Sequence, residues 1–501
     1  MVSVFLNINN VILILLLIHL RGRSNEKYWK KRGVVFCEQN KTGGPIWNYV
    51  TGKKSMFQVF NDIYREYSNA PAVGLGSAFN KALYVKDPVN INHVAQTDFN
   101  AFYHRGIPTN KADILAENVL FLNGPKWKVL RHKLTPLFTG AKLKNMYYII
   151  DKSAQDFVEY LKLNPDRLKG DADHTHETVS RFCTAALSAA VFGIGTKSTF
   201  DLPFRNMIKD VLSPTLAFNL KFGLADASAE LFNASGFTFF GKYENFFVDT
   251  IRQVIKKREE DGVLRHDFAD MCVKLQKEGT MVEPESGFSV EPTAELMAAQ
   301  AFFFFIAGID PCAATIHVTM MELGRNPDIL KRVQEEVDAV FEKYDNKLTY
   351  DAVNEVEYLD RVLSESLRMY PPLAFVTRQC MKDSTLPVGN VPVEKGVKIF
   401  MPIYEVHHDP KYFPNPEVFD PERFARPGEI NDATYMPFGK GNRVCIGVRY
   451  AKLQLISGMM HFIRHFTVKT VVHKGGVQYI KEPTQVRITN VDLEFIPRNV
   501  K

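Results

Sequence analysis

The stretch PFGKGNRVCIG, residues 437–447, decides how this sequence is read. It holds one cysteine, Cys445, between glycines, with Arg443 two residues before it. A helix-like run, GVRYAKLQLISGMMHFIRHF (447–466), follows. A thiolate needs N–H groups or positive charge beside it to stay ionised. Gly441 and Gly447 allow a tight loop around the sulfur, and the first amides of the next helix point the right polarity at it. A cysteine buried only for packing needs none of this. The pattern therefore points to a cysteine held as a thiolate.

Outward from the loop, the totals describe a large ordered chain. It has 501 residues, 46% hydrophobic and 24% charged, which excludes a mostly disordered polypeptide. A net charge of +6 is modest at this length and asks for no nucleic-acid partner. The six cysteines form no CxxC pair and no dense framework, as expected of free thiols in a reducing compartment. Val2 to Leu20 is mostly apolar, and as a helix would span roughly 28 Å. RGRSNEKYWKKR follows it with six basic residues against one acidic. Charge after the apolar run predicts an uncleaved anchor with the rest of the chain on the cytosolic side. The divisions expected are a transmembrane anchor over 1–20, a basic linker over 21–50 and one large domain over 51–501.

Helical periodicity dominates the middle, in SAQDFVEYLKL (153–163), YENFFVDTIRQVIKKREE (243–260) and HDFADMCVKLQKEG (266–279). After about residue 370 prolines cluster and short β-like runs such as GVKIFMPI lie between them. The tail alternates as strands. The fold class is mostly α with a small β portion (α+β). One anomaly stands in IAGIDPCAAT (306–315): Pro311 interrupts a long apolar helix, where proline costs about 3 kcal/mol.

Phe438, Gly441, Arg443, Cys445 and Gly447 fit F-x-x-G-x-R-x-C-x-G at every fixed position. That is the haem-binding signature of the cytochrome P-450 superfamily, which the chain resembles over roughly residues 50–500. ESLR (Glu365, Arg368), PERF (Arg423), the W-x-x-x-R of GPKWKVLRHKL (Trp127, Arg131) and VTRQC (Arg378) stand in the family's order. KYWKKRGV, HDPKYFPNPEVFDPERF and KLTPLFTGAKLK resemble the insect microsomal branch that includes detoxification enzymes, although its proline-rich hinge is reduced to Pro45.

The resemblance implies haem b as cofactor, Cys445 as its axial thiolate, and Phe438 beside it in the binding loop. A thiolate ligand pushes electron density to the iron and favours O–O cleavage. Trp127, Arg131, Arg378 and Arg443 would face the haem propionates, which need cationic partners when buried. Glu365, Arg368 and Arg423 would form a structural clamp. Electrons would come from NADPH through a flavoprotein reductase at the endoplasmic reticulum membrane, with cytochrome b5 as a further partner. Lys128, Lys133, Lys440 and Arg449 would offer that partner a positive patch. Phe102, Phe218, Phe222, Phe232, Phe303, Phe304, Leu373, Phe375 and Val376 suggest a lipophilic substrate site, for a xenobiotic or insecticide, plant toxin, steroid or fatty acid.

The same resemblance puts Ala307, Gly308 and Asp310 on the oxygen-binding helix, usually A-G-x-[DE]-T-[TS]. Pro311 stands in the threonine's place and Cys312 follows. The helix is distorted there in the family, so Pro311 is expected to cost less than usual and to free the Ala307 carbonyl for water. Asp310 is expected as the remaining proton carrier. The leading reading is a monooxygenase. The alternatives are a reductase-independent hydroperoxide isomerase or dehydratase, and a haem-binding protein without turnover.

Overall fold

In the computed structural model the described residues are 8–39, 48–49, 53–76, 81–193, 200, 207, 211, 221, 224–225, 229–426, 428–481 and 485–499. Helix Ala294–Arg325 runs through the middle. Thr293 caps it by accepting from the Leu296 amide, Glu295 sits in its first turn, and it stops at Asn326 ahead of Pro327. Twelve large apolar side chains of this helix are buried, from Leu296 to Leu323. At about 1.5–3 kcal/mol each they outweigh one interior proline several times over. That is why the helix passes through Pro311 with α assignment unbroken, rather than with the local distortion expected. By length and hydropathy it also qualifies as a membrane span, yet two thirds of its apolar window (67%) is buried in the protein.

Helix Ala172–Phe192 lies closest to it. The small residues Ala185, Ala186, Ser188 and Ala189 allow that approach, and a Cβ on Gly308 would come within 2.6 Å of Leu187 Cδ1. Helices Gly140–Leu163, Glu244–Asp261, Glu357–Met369 and Val448–His465 complete the helical layer around one core.

The β portion is small, as expected. Its main sheet runs Ala72–Gly76, Lys81–Val85, Lys398–Pro402, Phe375–Gln379. The outer pairs are antiparallel and the inner pair parallel, with Leu83 opposite Ile399 and Arg378 opposite Ile399 on its other side. A second sheet joins Phe466–Val472, Val491–Pro497 and Lys169–Asp171.

The boundary expected at residue 20 is not a structural one. A single helix covers Ile8–Lys30. Trp29, on the stretch expected as a linker, is fully buried and donates Nε1–H to the Leu75 carbonyl at 2.8 Å. Phe36 bridges to Gly74, and Trp29, Val34 and Phe36 are buried in the core beside the sheet.

Candidate active site

Cys445 ends a loop built by turns. Gly439 N–H donates to the Met436 carbonyl, Cys445 N–H to Phe438 and Val444 N–H to Gly441, each at 2.9 Å. Gly439 (φ +75°) and Gly441 (φ +70°) adopt the left-handed conformation that only glycine takes freely. Gly441 also has no room, since a Cβ would lie 1.9 Å from the Ala95 carbonyl oxygen. Gly447, expected to be required in the same way, has φ −94° and an open neighbourhood. Its contribution is the amide it presents to the Cys445 sulfur. Five of the six cysteines are buried and Cys445 alone is exposed. Desolvation pushes its thiol up, while the Gly447 amide and the charges of Arg131 and Arg105 pull it down.

Those charges belong to a cluster. Arg443 donates to the carbonyls of Tyr103 (2.9 Å) and Leu122 (2.9 Å) and to Asn123 Oδ1, and lies 3.8 Å over the Trp127 ring. Arg378 is fully buried on the sheet and donates to the carbonyl of the preceding residue, Thr377. Arg105 donates to the Arg443 carbonyl at 3.2 Å. Burial, then the neighbouring guanidinium groups, push Arg443 down to about 8. The same two causes push Arg378 to about 9, and burial brings Arg105 to about 10. Among the described residues none of Arg105, Arg131, Arg378 and Arg443 has a carboxylate partner. The Nε atoms of Arg105 and Arg378 are buried without an acceptor. Keeping these guanidinium groups protonated without an anion is costly, so such a cluster is relieved by taking one.

Behind the loop, Arg368 donates to both Glu365 oxygens at 2.7 and 2.9 Å, and Arg423 Nε lies 3.3 Å from Glu365 Oε1. Arg368 also donates to the carbonyls of His407 and Pro416 at 2.8 and 2.7 Å, and Asp420 N–H donates to Glu365. His407 carries this network to the cysteine loop. Its Nδ1 meets the Arg368 carbonyl, and its Nε2 accepts from Met436 N–H at 3.0 Å.

On the central helix, Ala307 is exposed, and Phe303, Gly308 and Pro311 are partly so, at i, i+4, i+5 and i+8. This face alone of the helix middle is open. Cys312 is turned into the core. The Thr315 hydroxyl donates to the Pro311 carbonyl at 2.8 Å. Asp310 is buried, with Oδ2 accepting from Gln485 Nε2 at 2.8 Å and Oδ1 from Arg487. Burial raises its carboxyl, and Arg487 and Gln485 pull it back.

Several residues expected at a substrate pocket lie elsewhere. Phe102 is fully buried in the core beside the sheet, edge-on to His93. Phe304 packs between Phe138 and Phe268. Strand alternation puts Phe375 on the face opposite Arg378, against Phe60 and Phe400. Phe232 is buried against Phe239. Val376 shares the Arg378 face, and Phe303 and Leu373 keep exposed surface. Phe218 and Phe222 lie outside the described residues. The expected positive patch is largely neutralised: Lys128 pairs with Glu285, Lys133 with Glu278 and Lys440 with Asp432, leaving Arg449 exposed.

A helix-rich domain that presents one exposed thiol beside four unpaired arginines is built to hold a metal cofactor with anionic side groups. The sequence matches the family described as cytochrome P-450 over residues 41–491. It is 34% identical over 465 residues to probable cytochrome P-450 6a13 of Drosophila melanogaster, covering 90% of each chain. It is 32% identical to cytochrome P-450 6k1 of Blattella germanica, over 88% of this chain and 87% of that one. Cytochrome P-450 6B7 of Helicoverpa armigera is 30% identical over 94% of both. This chain belongs to the cytochrome P-450 family. It is therefore a haem b oxidoreductase of the monooxygenase class, supplied with electrons by a redox partner. The residues present fit that cofactor: the exposed thiol offers an iron ligand, and the orphaned guanidinium donors suit two propionates.

Proposed function

We propose that Cys445 would supply the thiolate ligand to haem iron, that Arg105, Arg131, Arg378, Arg443 and Trp127 would hold the propionates, and that the enzyme inserts one atom of dioxygen into a lipophilic small molecule. Xenobiotics such as insecticides, plant toxins, steroids and fatty acids are the substrate classes. NADPH supplies electrons through a membrane flavoprotein reductase, with cytochrome b5 as a second donor. The apolar N-terminal segment anchors the chain in the endoplasmic reticulum. Its helix leaves Leu16 and Leu20 exposed and ends in the basic turn of Lys27 and Lys30. The observation that carries the site assignment is the one exposed cysteine set among guanidinium groups that lack an anion.

Haem, when bound, supplies the redox centre for reducing and splitting dioxygen. The chain's own residues hold the sulfur charged, neutralise the carboxylates and shape the open helix face. That face lacks a protic side chain. Pro311 has none, Thr315 is engaged with the Pro311 carbonyl, and Asp310 is held by Gln485 and Arg487. Proton supply then falls to water. The Ala307 carbonyl has lost its helical donor to Pro311 and accepts one.

Pro311 also favours a second reading, the rearrangement or dehydration of lipid hydroperoxides, which needs neither reductase nor delivered protons. Reconstitution with reductase, NADPH and isotopically labelled dioxygen separates the two. Label in hydroxylated toxins, steroids or fatty acids supports oxygen insertion. Unlabelled product, with turnover of a lipid hydroperoxide in the absence of NADPH, overturns it.

A further inference from the structure

Among the described residues Asp310 is the one buried carboxylate beside the open face of the central helix, and both of its oxygens are committed to one distant segment. Gln485 holds Oδ2 and Arg487 holds Oδ1. Gln485 in turn makes an isolated antiparallel bridge with Leu373. Leu373 leads directly into strand Phe375–Gln379, which carries Arg378 of the arginine cluster. The contacts thus run from central helix to C-terminal segment to sheet. Arg487 reaches Asp310 from a cleft lined by His176, His317, Val486 and Ile488, so the ion pair spans from that cleft to the helix.

We propose that Asp310 is a positioning residue: through Gln485 and Arg487 it fixes the C-terminal segment and the Leu373 end of the sheet against the central helix, and so sets the width of the substrate site. A buried carboxylate with a guanidinium and an amide on its two oxygens is a rigid link, because releasing either partner leaves a buried charge or donor unpaired. The same commitment makes it a poor carrier of protons, since accepting one displaces Arg487. This assignment rests on the haem-thiolate reading above.

The test uses the haem-loaded full chain with two probes, imidazole and 4-phenylimidazole, titrated by the optical shift each causes on binding iron. Asp310→Asn removes the charge that holds Arg487, and Arg487→Met removes the other half of the link while keeping the carboxylate. Both are expected to change the ratio of the two affinities in the same direction, by about tenfold. Deuterium uptake by the 485–497 backbone should rise in both. The solvent isotope effect on NADPH oxidation with reductase should stay at the wild-type value. The proposal is overturned if the azole ratio is unchanged in Arg487→Met. It is equally overturned if Asp310→Asn alone raises the isotope effect and peroxide release, the signature of a proton carrier. Should Asp310→Asn fail to load haem, Arg487→Met decides by the same ratio. A wild-type chain that gives no azole shift overturns the haem reading itself, whereas a normal shift with an unmoved ratio overturns only the positioning role.

Discussion

The Thr315 hydroxyl donates to the Pro311 carbonyl 2.8 Å away, one turn back along the central helix. The threonine nearest the missing one is therefore tied to the backbone, and cannot stand in for it. Pro311→Thr restores an N–H for the Ala307 carbonyl and puts a hydroxyl on the open face. It should stabilise the protein by about 1 kcal/mol, below the full proline penalty because packing already holds the helix straight. Peroxide released per NADPH should fall. Equal leakage in the variant would show that the hydroxyl is not what limits coupling.

Arg378→Leu should act with opposite signs on the two forms of the protein. Without haem, it removes a fully buried cation that has no anionic partner, and the melting temperature should rise or hold. With haem, it removes a charge-assisted contact to a propionate, costing about 1.5–3 kcal/mol of cofactor affinity. Thermal melts of both forms and haem transfer to an acceptor protein measure the two effects. A haem-free form destabilised as much as the loaded one would refute the counter-ion role.

Glu405 is buried beside Tyr84, and desolvation raises its carboxyl to about 8 from an ordinary 4.5. The folded state holds this proton more tightly than the unfolded chain. Its contribution is thus complete below about pH 4.5 and is lost as pH rises through about 8. Glu405→Gln should flatten stability between those limits, with the largest gain at pH 8. Parallel wild-type and variant melting curves across that range would exclude this residue as the cause.

His407 behaves in the reverse sense. Burial, with His408 and Arg368, lowers it to about 3, so its contribution is complete above its unfolded value near 6.5 and falls away as pH drops toward 3. Protonated Nε2 no longer accepts from Met436. His407→Leu should cost about 1–3 kcal/mol through the unsatisfied Met436 amide and Arg368 carbonyl. It should also speed haem loss, because Met436 anchors the turn that precedes Cys445. Stopped-flow haem release from acidified samples checks both, and wild-type release rates in the variant would sink the link.

Reading the sequence found what short spacing encodes. Cys445, Gly441 and Arg443 lie in one loop, and Glu365 and Arg368 lie one helical turn apart, so each declares its neighbour. Arg105 was missed because no local pattern marks it. It joins the cluster only when the segment before Trp127 folds over Arg443, more than 300 residues away. His407 was missed for the same reason, although HHDP after a strand-like run is a weak cue. Gly439 was readable in PFGKG and passed over in favour of Gly447. The aromatic residues carry a different lesson: Phe102, Phe304 and Phe375 pack in the core or against the sheet, because strand alternation and core packing, not composition, decide where a ring points. The basic stretch after residue 20 looked like a tether because charge hides Trp29, which anchors it to the sheet.

Four like charges gathered around an exposed thiol have a consequence for assembly. Sheet, cysteine loop and the helix of Trp127 bring guanidinium groups to one corner, and these like charges repel one another. The helical layer packs on its own apolar contacts, whereas this corner carries like charges that a bound dianion would offset. With the arginines holding propionates as proposed, the pigment would act as a keystone as well as a reagent: scaffold first, then cofactor, then the sheet drawn onto it.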